Sequence, residues 1–102
     1  MASRLKLHEE FCEILGNRNV YFNPPETLKM SYPCIRYSCA DPDQIYANDK
    51  TYRKMNEYEG VIIDYDPDSI IPDKTLEHFS MCKASKPYRA DNLNHFPFTL
   101  YY

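Results

Sequence analysis

Residues 58–65, Tyr58-Glu59-Gly60-Val61-Ile62-Ile63-Asp64-Tyr65, are the stretch on which the fold turns. They read as the return arm of a long antiparallel hairpin over 44–65, whose first arm lies around Gln44–Ala47 and whose polar turn is Asn48-Asp49-Lys50. Upstream, Tyr32 to Cys39 alternates as a strand, with Ile35, Tyr37 and Cys39 on one side and Arg36 and Ser38 on the other. Ala40-Asp41-Pro42-Asp43 is a turn between the two. Val20-Tyr21-Phe22 is a shorter strand ended by Asn23-Pro24-Pro25, because neither proline supplies a ladder donor. A last strand runs from His95 to Tyr102, where Phe96, Phe98, Leu100 and Tyr102 alternate with Pro97, Thr99 and Tyr101.

Two helices frame these strands. Leu7, Phe11, Ile14 and Leu15 recur at helical spacing within 3–15, and Leu5 and Cys12 widen that apolar stripe. Ser3 is the expected N-cap, Gly16-Asn17 the left-handed stop, and Glu9, Glu10 and Glu13 the solvated side. A second helix is expected over 72–80, opened by Pro72 in its first turn and burying Leu76 and Phe79. The loop through Lys86-Pro87-Tyr88 then leads to the last strand. This order predicts one α+β domain over 1–102, a mainly antiparallel four- to five-stranded sheet with two helices packed on it.

Charge and composition exclude several functions. Twelve Lys and Arg against 15 Asp and Glu leave a net charge of −3, where a dedicated nucleic-acid binder would carry a basic surplus. No apolar run approaches the ~18 residues of a membrane span, and the N-terminal residues lead into no signal-peptide core. Only Gly16 and Gly60 are glycines, too few for a phosphate-cradling loop. The four cysteines, Cys12, Cys34, Cys39 and Cys82, lack the paired spacing of a zinc knuckle and read as reduced thiols, Cys12 and Cys34 packing as small apolar groups.

Asp64, Asp66 and Asp68 open like a calcium loop, but Ser69 stands where the glycine belongs and Thr75 where the bidentate acid belongs. Their expected role is to cap and complement the N-terminus of the helix that follows. His8, His78 and His95 share no motif, and no hydrolase, metalloprotease or cysteine-protease signature is present. Neither catalysis nor a cofactor is therefore expected.

Ten tyrosines are the unusual feature. Tyr46, Tyr52 and Tyr58 fall in or beside the expected hairpin, with Arg53, Lys54 and Met55 among them. Tyr, Met and Arg are enriched in protein–protein interfaces, so the six residues form the candidate subunit or partner interface.

Three stretches, LHEEFCEILGNRNVYFNPPETLKMSYPCIRYS (7–38), IDYDPDSIIPDKTLEHFSMCK (63–83) and YRADNLNHFPFTLYY (88–102), resemble the tail terminator, or tail completion and tail-to-head joining, proteins of long-tailed phages and prophages of Gram-positive bacteria. The likeness covers nearly the whole chain. It implies a virion protein with an α+β fold that assembles as a homohexameric ring on the head-proximal end of the tail. Such a ring stops polymerisation of the tail tube protein and presents a docking surface to the head–tail connector or stopper protein. DNA would pass the lumen without specific binding, repelled by an acidic lining. No membrane is involved, and assembly would occur in the host cytoplasm. On that reading the 44–60 hairpin and the 24–31 loop supply the axial or inter-subunit contacts. The alternatives are a head-completion, stopper or minor capsid protein, or, in another class, a small metal-binding or enzymatic phage protein or a monomeric inhibitor of a host protein.

Overall fold

The computed structural model describes residues 4–40 and 56–102. In chain order these form α1 (Arg4–Leu15), β1 (Val20–Phe22), β2 (Cys34–Cys39), β3 (Glu57–Asp64), α2 (Ile71–His78), β4 (Cys82–Ala84), β5 (Tyr88–Ala90) and β6 (Leu93–Tyr101). The fold is α+β: two helices pack on one face of a six-stranded sheet ordered β1-β2-β3-β6-β4, with β5 also paired to β6. Among the described strands only β1 and β2 run parallel. The sheet thus has six strands rather than four or five, because two three-residue strands, β4 and β5, edge β6 where a loop was expected.

Strand β3 lies at the centre and pairs along both sides. Its hairpin partner is β2, from Cys34↔Ile63 to Cys39↔Tyr58, rather than an arm around Gln44–Ala47, which lies outside the described residues. Along its other side β3 pairs with β6 from Glu57↔Tyr101 to Asp64↔Asn94. The parity of this register sends Ile35, Tyr37, Tyr58, Ile62, Phe98 and Leu100 to the helix side, where they join Leu7, Phe11, Ile14 and Leu15 in the main core. Cys39 shares that parity but is exposed.

Helix α1 follows its sequence pattern closely. Gly16 has φ +85°, the left-handed stop that glycine adopts without a Cβ penalty, and its N–H donates to the Cys12 carbonyl. The exception is Leu5, 67 % exposed and outside the buried stripe.

Helix α2 is rotated from its expected phase. Ile71 and Thr75 face the core and Phe79 follows one turn on, while Leu76 is 38 % exposed. Thr75 can be buried because its hydroxyl donates to the Ile71 carbonyl. The aspartates upstream do not cap this helix. Asp64 and Asp66 each accept a backbone N–H two residues on, from Asp66 and Asp68, while Ser69 Oγ accepts from the Ile71 N–H.

The far edge of the sheet explains how Pro97 sits inside a central strand. Lys83↔Thr99 and the positions two residues to either side are the pairs bonded between β4 and β6, since Tyr101 N–H donates to Met81 and Ser85 N–H to Pro97. Past Ser85 the chain uses Lys86 and Pro87 before β5 resumes at Tyr88↔His95. Lys86 and Pro87 together stand opposite Phe96, a bulge that interrupts the edge ladder next to Pro97. Toward β3, Pro97 faces Val61 in a pair that exchanges no main-chain bonds, so its missing N–H leaves the central ladder intact. The β5–β6 turn is Asp91-Asn92, with φ of 54° and 63°, the double left-handed geometry of a tight hairpin.

Candidate functional site

Outside the helix-covered core, four features present chemistry: the bare face of the sheet, a groove beside α2, and two polar networks that tie α1 to the rest of the molecule.

The bare face has an aromatic end and a polar end. At the aromatic end Cys34, Ile63 and Leu93 form a second small core, with Tyr21, Met30, Tyr32 and Val61 packed against it. The 24–31 loop thus folds back on its own sheet through Met30. Above this cluster, Tyr65 meets Tyr32 edge-on at 5.9 Å, and Tyr88 stacks on His95 at 4.8 Å and 13°. Tyr65 and Tyr88 remain 65 % and 50 % exposed, large apolar surface with no helix over it among the described residues. At the polar end an open trough of about 400 Å³ is lined by Arg36, Ser38, Glu59 and Thr99, with Asn23 and Pro24 at its rim.

The groove, about 250 Å³, runs between α2 and the β4 edge. Pro72, Thr75 and Leu76 form one wall, Cys82 and Ala84 the other, and Phe96 contributes to the floor. Burial in this apolar setting raises the Cys82 thiol.

The first network joins Glu10 to both later elements. Its Oε1 lies 2.8 Å from His78 Nε2, and its Oε2 accepts from the Tyr102 hydroxyl. Glu10 is therefore a tie between α1, α2 and the last strand rather than one more solvated acid. Burial works to raise its carboxyl, but the bonds from Tyr102 and His78 outweigh that and leave it lowered. Burial and the same carboxylate push Tyr102 up to about 12.

In the second network Arg4 donates to the Tyr37 hydroxyl at 3.4 Å and lies 4.2 Å over the Phe22 ring. The Tyr37 oxygen also lies 2.8 Å from His8 Nδ1. Tyr37 already accepts from Arg4, so its own proton suits the free nitrogen lone pair of a neutral His8. Burial first, then the Arg4 charge, lowers the His8 pKa. The unfolded chain takes up this proton near 6.5, whereas the folded chain resists it to lower pH, so protonation favours unfolding below 6.5. Melting temperature is expected to fall from pH 6.5 toward 5 in the wild type and to stay flatter in His8→Gln, followed by circular dichroism. Equal slopes would mean that His8 does not carry this effect. The Glu10 contribution is lost separately, as pH falls through and below the carboxylate range.

Neither network contains a serine, threonine or cysteine, and among the described residues no group of three or more His, Cys, Asp or Glu is placed to hold a metal. Cys34 is fully buried with its thiol pushed up to about 11, an inert packing group. Of the six interface candidates, Tyr46, Tyr52, Arg53, Lys54 and Met55 lie outside the described residues. Tyr58 is buried in the main core, edge-on to Tyr37 at 6.0 Å, so it is a core residue of the chain and not a surface contact. The sequence reading missed Tyr65, Tyr88 and His95; strand parity, extended through β5 and past the end of β3, is the signal that places them on the bare face. No helix among the described residues is long and apolar enough to cross a membrane. No family model, no curated protein and no solved structure matches this chain.

Proposed function

We propose that this protein is a structural component of a phage virion, a tail terminator whose copies close into a ring on the tail tube, arrest its growth and receive the head connector. The reading begins from the three resembling stretches, 7–38, 63–83 and 88–102. The observation that carries it furthest is the bare sheet face: Tyr65 and Tyr88 stay exposed over Tyr32 and His95 where a self-sufficient domain would place a helix. Aromatic rings on a rigid strand framework give contact area at little entropic cost. A ring needs two different patches on each copy, and the aromatic end and the polar trough of this face supply chemically distinct ones.

The protein works here by shape. It forms no bond, takes no cofactor, and its partners are copies of itself, the tube protein and the connector or stopper. Electron microscopy of tails assembled without it tests the reading. Overlong tubes are expected; normal-length tails that fail to join heads would reassign the protein to the head side of the junction. Normal tails, normally joined, would overturn the proposal.

A further inference from the structure

The β4 edge has unspent bonding capacity. Because Met81, Lys83 and Ser85 are the residues whose main chain faces β6, the N–H and C=O groups of Cys82 and Ala84 face away from the sheet. Among the described residues none of these four groups has a hydrogen-bond partner, and β4 is the end of the strand order. Their side chains, by contrast, stand on the helix side and line the apolar groove against Pro72, Thr75 and Leu76. An unpaired edge thus runs along the lip of an apolar slot.

The charge of that edge selects among occupants. Residues 81–90 hold three cations, Lys83, Lys86 and Arg89, and no acid. Two copies of the edge would repel, and lysines, a proline and a bulge are the devices that keep edges from pairing with each other. The opposite edge, β1, is no better a match, since residues 17–30 carry Arg18 and Lys29 against Glu26 alone. An acidic strand meets none of these obstacles.

We infer that the β4 edge accepts an extended segment of a partner protein, added as a seventh strand, with apolar residues opposite Cys82 and Ala84 and an acidic residue opposite Lys83. The main-chain bonds hold it, the groove reads its alternate apolar side chains, and the cations read its outward carboxylates. The site is separate from the aromatic face, so it stands or falls independently of the ring.

A capped octapeptide of alternating valine and glutamate, with a valine–lysine peptide as control, tests this on the full chain. Backbone amide shifts on titration are expected to centre on Cys82 and Ala84, with the lysine peptide at least tenfold weaker. Ala84→Pro deletes an outward N–H and no internal bond, so it should weaken the glutamate peptide at least tenfold while melting within a few degrees of wild type. Where that variant loses its fold, Lys83→Glu, a change at an exposed position, is to be read instead and should reverse the peptide preference. Equal affinity for the two peptides, unchanged binding by either folded variant, shifts centred elsewhere, absence of saturable binding, or tighter binding of oligothymidylate than of peptide would each overturn the inference.

Discussion

Phe11→Ala is expected to lower stability by about 3–5 kcal/mol, the range for deleting a fully buried aromatic ring. Phe11 has no exposed surface and meets three rings edge-on, Tyr37 at 5.0 Å, Phe79 at 5.6 Å and Phe98 at 5.9 Å. Those rings come from β2, the end of α2 and β6, so one side chain on α1 keys the helix layer to both halves of the sheet. Backbone strands cannot close the space it would leave, because the registers of β2 and β6 against β3 fix where Tyr37 and Phe98 stand. Domains of this size commonly hold about 5–15 kcal/mol in total, so the variant should sit near its unfolding threshold at 37 °C. Leu5→Ala on the same helix, at an exposed position, should change stability by no more than ~0.5 kcal/mol. Urea denaturation of the two variants measures both. A cost for Phe11→Ala below about 1 kcal/mol would mean that the helix layer repacks and that this residue is not its anchor.

The parts of the fold legible in the sequence are those decided locally. Helix α1 was readable because four apolar residues repeat at its period and Gly16 marks its stop, β2 and β6 because their apolar residues alternate, and β1 because Asn23-Pro24-Pro25 closes a short apolar run. The partner of β3 was not. Nearest-neighbour hairpin logic favours pairing with the segment just upstream, yet pairing with one further away costs little more, since closure entropy grows only with the logarithm of the separation. The matching parities of Cys34–Cys39 and Tyr58–Ile63 decided the pairing instead. Strands β4 and β5, three residues each with Lys83 and Arg89 at their centres, carry no pattern of their own. They exist because β6 has a second side to bond. One local signal was there: Asp91-Asn92 is a two-residue hairpin loop written with residues that tolerate positive φ.

For the site, residue type misled where parity would have helped. Tyr58 and Tyr65 lie seven positions apart in sequence and so have opposite parity; one is core, the other open surface. An interface argument from tyrosine content alone treats them alike. The two polar networks were beyond reach for a different reason. Glu10 meets His78 across 68 residues and Tyr102 across 92, and no local pattern announces a bond whose geometry is set by helix-on-sheet packing. The bare face itself was legible only by default, since the two described helices cover one side of the described sheet and leave the other without a helix among the described residues.

Gly60→Ala, a change of one methyl group, should cost about 1–3 kcal/mol and lower the melting temperature by roughly 5–20 °C. Gly60 sits mid-strand in β3, hydrogen-bonded across to Phe98 on one side and opposite Tyr37 on the other. It shows no positive φ, so backbone freedom is not the reason for glycine here. Space is: a Cβ at this position would lie 2.3 Å from Phe98 Cζ and 2.7 and 2.9 Å from the two Cε carbons. The Phe98 ring therefore lies across the glycine backbone, and it cannot lift away without pressing on Phe11. Gly16→Ala offers the opposite case. Nothing lies within 4 Å of its Cβ, and the whole expense is the left-handed φ of +85°, about 1–2 kcal/mol for a side-chain-bearing residue. The two mechanisms separate in a double-mutant cycle with Phe98→Leu, whose shorter side chain vacates the space over residue 60. Gly60→Ala should cost markedly less in that background, an interaction of about 1 kcal/mol or more, while Gly16→Ala should cost the same in both. Additivity at Gly60 would mean that the crowding is relieved elsewhere and that Phe98 is not what requires glycine at the centre of the sheet.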